Sequence, residues 1–147
     1  MRECKFTVPG QPIPKGSMVG FVPEGTRRAY LTASNRKALK PWEARITSAA
    51  IAAWDGEPSA GPIMVSLVFR FARPKSHYGT GRNAGVLKLS APTYPIGSRN
   101  DIDKLERAML DGLTGVVFGD DGQVVRVTTD KLYGRPGVDV RVYELIT

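Results

Sequence analysis

Cysteine is almost missing from this chain: Cys4 is the one thiol among 147 residues. No internal disulfide can form, and no cysteine-built zinc site. A domain of this length needs no such staple, because it buries roughly two-thirds of its unfolded surface. Histidine is reduced to His77, in an irregular stretch, where a lone imidazole reads as incidental rather than catalytic. No apolar run approaches the ~20 residues of a membrane span. The opening MRECKFTVPG lacks the apolar core of a secretory signal. These absences predict a single cytosolic domain over residues 1–147.

Basic residues are plentiful. The net charge is +7, unevenly spread. Residues 1–100 hold fifteen Lys/Arg against five Asp/Glu, whereas residues 101–147 hold six against nine. Six of the fourteen acids fall between Asp101 and Asp121. A basic body with a local acidic cluster attracts a polyanion and keeps a place for a cation. Chance clustering on an ordinary protein surface is the plainer alternative.

ECKFTV, 3–8, alternates and predicts a strand. PGQPIPKGS then makes a loop, and residues 19–35 predict a hairpin or an irregular basic segment. A helical pattern runs from Lys37 to Trp54, with Pro41 placed in its first turn and Trp42, Ile46, Ala49, Ala50 and Ala53 along one face. IMVSLVFRF, 63–71, is the clearest strand and long enough for a central position. From Ala72 to Asn100 the chain predicts a long irregular loop holding Arg73, Lys75, Arg82, Lys88 and Arg99 among tyrosines. Such a loop suits a phosphate backbone and stacked bases, and equally a solvated surface. A second helix is expected over Ile102–Leu113, with Ile102, Leu105, Met109 and Leu113 buried and Gly112 or Gly115 ending it. VVF, 116–118, QVVRVTT, 123–129, and VDVRVYEL, 138–145, predict strands. The order implies a mixed α/β (α+β) domain, two helices packed on one sheet.

The acids carry the chemistry. Asp101 and Asp103 converge only if Asp101 precedes the helix and Asp103 projects from its first turn. Capping alone would explain one of them, and the helix N-terminus favours negative charge. Asp120 and Asp121 stand in GDDG, a tight-turn composition. A strand returning beside the second helix would carry that turn to the helix start. Three or four carboxylate oxygens would then meet, and oxygen-only ligands of this kind suit Mg²⁺, with Mn²⁺ as a substitute. Metal-bound water would attack phosphorus while basic residues hold the strand.

NDIDKLERAMLDGLTGVVFGDDGQVVRVTTDK resembles the signature of the RusA family of Holliday-junction resolvases: Asp-x-Asp-Asn/Lys, a leucine, a basic residue, a helix, then Asp-Asp-x-Gln-Val and a later lysine. VPGQPIPKGS resembles the family's opening segment, and RPKSHYGTGRNAG with LSAP looks like its phage-encoded branch. The resemblance implies a magnesium-dependent endonuclease that resolves four-way DNA junctions as a homodimer, located in the host cytoplasm if phage-encoded. It implies catalytic and metal-binding roles for Asp101, Asp103 and, by spacing to Gln123, Asp121, with Asp120 the alternative. Arg107 stands where the family places an important basic residue, often lysine. An arginine keeps its proton, so it holds phosphate or steadies charge but is no general base; an i,i+4 ion pair with Asp103 is its plainer role. Lys104 stands where asparagine is common and Asn100 where proline is common. Lys104, Lys131 and Lys15 join Arg73, Lys75, Arg82 and Arg99 as expected DNA ligands. A two-fold junction needs two equivalent cuts, which a C₂ dimer supplies. The competing readings are a DNA-binding module without chemistry and a metal-dependent phosphohydrolase of nucleotides or single strands.

Overall fold

A computed structural model of the chain describes residues 2–97 and 100–145. Arg99, one of the expected DNA ligands, lies outside them. The strands are β1 (Glu3–Pro9), β2 (Met18–Phe21), β3 (Tyr30–Ala33), β4 (Ile63–Phe71), β5 (Val124–Tyr133) and β6 (Gly137–Glu144). The helices are α1 (Arg36–Ala53) and α2 (Ile102–Leu113). Four strands form one sheet in the order β1-β6-β4-β5, and β2 and β3 pair separately as a hairpin. β6 runs antiparallel to β1 and β4, whereas β4 and β5 are parallel. The fold is α+β, as expected.

Period-two alternation sets the sheet's faces. Ile63, Val65, Leu67, Phe69 and Phe71 of β4, with Val138, Val140 and Val142 of β6, are buried on the helix-covered side. β4 takes the interior position its length predicted. Both tryptophans lie in the core. α1 presents Leu39, Trp42, Ile46 and Ala50 to that core, and α2 presents Leu105, Ala108, Met109, Gly112 and Leu113. The two helices touch at Gly112, whose carbonyl accepts from the Thr47 hydroxyl at 2.7 Å. A Cβ there would stand 2.7 Å from Ile46 Cγ2, so only glycine admits this approach.

Several expectations need correction. Pro41 lies inside α1 rather than in its first turn, because the helix starts at Arg36 after Asn35. Its ring therefore removes one interior hydrogen bond. Ile102 is 41% exposed; as the first helical residue it faces outward, and the stripe begins at Leu105. The helix ends at Leu113, and Gly115 follows with a positive φ of 87°, so Gly115 rather than Gly112 is the stop. VVF is no strand. It is a turn joined by isolated bridges from Phe118 to Thr114 and Ser59, closed by Gly115 N–H on the Phe118 carbonyl at 2.7 Å and Val117 N–H on the Leu113 carbonyl at 3.1 Å. Over residues 72–97 the long loop is more regular than expected, with Tyr78 bridging Leu87 and Lys88 N–H bonded to the His77 carbonyl at 2.9 Å.

Candidate active site at the start of the second helix

β4, α2 and β5 form a strand–helix–parallel strand unit. In such a unit the helix starts where the first strand ends and returns antiparallel to both. The start of α2 therefore lies outside the carboxyl ends of β4 and β5, where open α/β sheets place their ligands. Two hydrogen bonds fix it there. Lys131 Nζ donates to the Asn100 carbonyl at 2.8 Å, and the Thr129 hydroxyl donates to Glu106 at 2.9 Å. On the far side, the proline-rich segment after β1 lies against α2, with Lys15 N–H donating to the Lys104 carbonyl at 3.0 Å.

Asp101 occupies the N-cap of α2 and its carbonyl accepts from Leu105 N–H at 3.0 Å, but its carboxylate makes no capping bond. Capping therefore does not account for this aspartate. The carboxylate faces Lys104, 3.7 Å away. Asp103 stands in the first turn and is exposed. The i,i+4 ion pair with Asp103, the plainer alternative for Arg107, does not form among the described residues, although both lie on the wall of one cleft. That cleft, about 510 Å³, is lined by Lys15, Gly16, Ser17, Met18, Asp103, Lys104 and Arg107.

The second pair of acids lies elsewhere. Asp120 caps a single 3₁₀ turn, Asp121–Gln123, by accepting from Gly122 N–H at 2.9 Å. Gln123 answers by accepting from Asp120 N–H at 3.1 Å and donating to the carbonyls of Ser59 and Gly61. These bonds hold the corner beside the start of β4, at the opposite end of α2. The twelve residues of α2 span about 18 Å. Along β5, Gln123 is eight residues from Lys131, about 26 Å of strand. The expected convergence of Asp120 or Asp121 with Asp101 and Asp103 does not occur within one chain, and no group of three or more Asp, Glu, His or Cys is placed to hold a metal among the described residues. The helix must recross the sheet before β5 can pair parallel to β4, and that carries the corner away.

The expected DNA ligands divide. Lys75 and Arg82 are exposed on the loop. Arg73 is spent inside the fold: its guanidinium lies 4.3 Å over the Tyr133 ring and donates to the Pro92 carbonyl at 2.7 Å. Lys131 is spent on Asn100. Lys15 pairs with Asp111 at 2.6 Å while still lining the cleft. Behind this pair, burial and then the neighbouring Asp111 push the Glu43 carboxyl above its ordinary value, and Lys15 and Lys40 partly offset them.

The positioning roles of three groups escaped the sequence reading, although Lys131 was expected as a DNA ligand. Thr129 and Lys131 belong to a strand expected to stop at residue 129; alternation continued to Tyr133 would have placed both on the helix side. Asn35 accepts from Gly16 N–H and donates to the Pro14 carbonyl, both at 2.7 Å, and so fixes the cleft's outer wall. No periodicity marks it.

The structure thus defines a class: a basic α+β domain that sets two aspartates, Asp101 and Asp103, among Lys15, Lys104 and Arg107 at the start of α2. Over residues 9–143 the chain matches the family described as endodeoxyribonuclease RusA. The chain belongs to that family of nucleases. No curated protein matches it.

Proposed function

We propose that this protein is a structure-selective endonuclease that resolves four-way DNA junctions by paired, symmetric cuts. The observation that carries the reading is the pair Asp101 and Asp103, neither spent on capping or an i,i+4 bridge, at the start of α2 in a chain matching RusA over residues 9–143. One or two carboxylates, with waters and substrate phosphate, are the ligands Mg²⁺ ordinarily takes. Asp101 and Asp103 fit that requirement; Mn²⁺ suits the same oxygens. The ion would supply an activated water and steady the departing oxygen. Arg107 and Lys104 hold the phosphate of the strand being cut, with arginine able to grip two oxygens at once. Lys131 and Thr129 keep the helix start in place.

The GDDG corner enters as part of a homodimer. With two copies related by a two-fold axis and their α2 helices antiparallel, the helix start of each meets the corner of the other. Asp121, exposed on that corner, is then the third carboxylate, and Asp120 is occupied by its cap. Two such centres per dimer match the two symmetric strands of a junction.

Asp101→Asn is expected to bind a synthetic four-way junction as the wild type does and to lose Mg²⁺-dependent cutting by at least a hundredfold. Full cutting by that variant would refute the site. A wild-type protein that binds without cutting at any Mg²⁺ or Mn²⁺ concentration would support a binding module instead, and preference for free nucleotides a phosphohydrolase.

A further inference from the structure

The β2–β3 hairpin has no role in the chemistry above, yet its root forms part of the site. Met18, the first residue of β2, lines the cleft with Asp103 and Arg107. Ser34 N–H donates to the Ser17 carbonyl at 2.8 Å and closes the root. Gly16 is held so tightly that a Cβ would lie 2.5 Å from the Ser34 hydroxyl and 2.6 Å from Asn35 Oδ1. From this rigid root the hairpin projects outward: every residue of β2 is exposed, and β2 packs chiefly on β3.

Its surface is wrong for a free ribbon in water. Val19, Phe21, Val22, Tyr30 and Leu31 are all exposed, Leu31 to 72%. An isolated two-stranded hairpin is marginal at best without something to pack on. Cross-strand pairing puts Phe21 opposite Tyr30, with ring centroids 6.1 Å apart. Arg28 lies 5.7 Å over the Tyr30 ring, and Arg27 precedes it at the tip. Aromatic faces beside arginines are the chemistry that stacks nucleobases and holds their phosphates. A second copy is the poorer occupant, because two such tips would bring four arginines together.

Base pairs inside a duplex resist this kind of insertion, since unstacking costs a few kcal/mol per step. At a branch the stack is already interrupted, so the same insertion costs least there. We propose that the β2–β3 hairpin is a branch-reading arm. Its apolar and aromatic side chains take up bases left unstacked at the crossover of a DNA junction, and Arg27 and Arg28 hold the flanking phosphates. This rests on the junction-nuclease reading and adds to it the element that tells a branch from plain duplex.

The test uses the full chain, without divalent metal, on four-way junctions carrying 2-aminopurine either at the crossover or in mid-arm, with a matched duplex for comparison. Wild-type protein should brighten the crossover probe and leave the mid-arm probe unchanged. The double variant Phe21→Ser, Tyr30→Ser should leave both probes dark and lose about tenfold or more in junction affinity, with duplex affinity within twofold. Arg27→Ala, Arg28→Ala should keep the crossover signal and bind with a shallower salt dependence. A double-serine variant with unchanged far-UV circular dichroism and Tm that still prefers junctions as the wild type does would overturn the arm while leaving the nuclease reading intact. A wild type that does not prefer junctions over duplex would remove both. Solution mass is measured alongside: if the serine variant alone turns a dimer into monomers, the hairpin is a subunit clasp and base uptake is refuted.

Discussion

Asp101 stands at a position where an aspartate ordinarily bonds to the turn it starts, and it does not. An N-cap bond contributes about 1 kcal/mol, so a carboxylate that forgoes it is left free for another partner. Lys104, 3.7 Å away, offers an exposed and weak ion pair, easily exchanged for a cation or a phosphate. Asp120 is the contrast, because its carboxylate is engaged by Gly122. Residue type alone does not separate the two; both are aspartates next to a helical turn. At the same scale, burial pushes the Cys4 thiol up to about 11. The thiolate, which is the reactive form, is therefore scarce up to about pH 10. Native protein at pH 8 should resist iodoacetamide for hours, and protein in 6 M urea should be alkylated within minutes; mass spectrometry reads the difference. Rapid labelling of folded protein would mean that β1 opens.

At the scale of elements, the contact between α1 and α2 is open to disruption by a single change. Gly112→Ala adds helix propensity worth up to about 1 kcal/mol. It also drives a Cβ to within 2.7 Å of Ile46 Cγ2 and 2.9 Å of Ile46 Cβ. Overpacking of that kind costs about 1–3 kcal/mol, and Ile46, fully buried and β-branched, has nowhere to turn. We expect urea unfolding to report a net loss of roughly 1–2 kcal/mol with an unchanged slope. Elements were the most legible part of this fold. IMVSLVFRF and IDKLERAMLDGL contain one clean period each, and both bounds are observed as read. Pro41 and VVF were misread because their local patterns fit more than one structure: proline tolerates a kinked interior as well as a first turn, and three apolar residues serve a turn as well as a strand. The site was half legible. The helix start follows from the sequence because Asp101 and Asp103 are local to it. The corner's distance does not, because it depends on β5 pairing parallel to β4, a long-range choice that no residue in GDDG encodes.

At the scale of the whole molecule, the two acidic corners at opposite ends of α2 make a sharp demand on assembly. If each centre takes Asp101 and Asp103 from one copy and Asp121 from the other, two dead variants can rescue each other. Asp101→Asn and Asp121→Asn should each be inactive alone. Mixed and allowed to exchange subunits, they form heterodimers in which one centre carries both lesions and the other carries none. A junction assay should then show nicking on one strand at up to half the wild-type rate per heterodimer, with few paired cuts. No recovery on mixing, with exchange verified by mass, would mean that the third carboxylate is not shared between copies.

The glycine-held root of the hairpin sets a direction as well as a place. Gly16 and Asn35 lock the ribbon at the lip of the cleft that holds Asp103 and Arg107, and four residues of β2 extend it about 13 Å. That is close to four stacked base pairs of duplex, at 3.4 Å each. If the tip takes up the crossover as proposed, the scissile bond falls at a fixed offset from it, and the ribbon becomes a ruler whose zero is the crossover and whose single graduation is the cut.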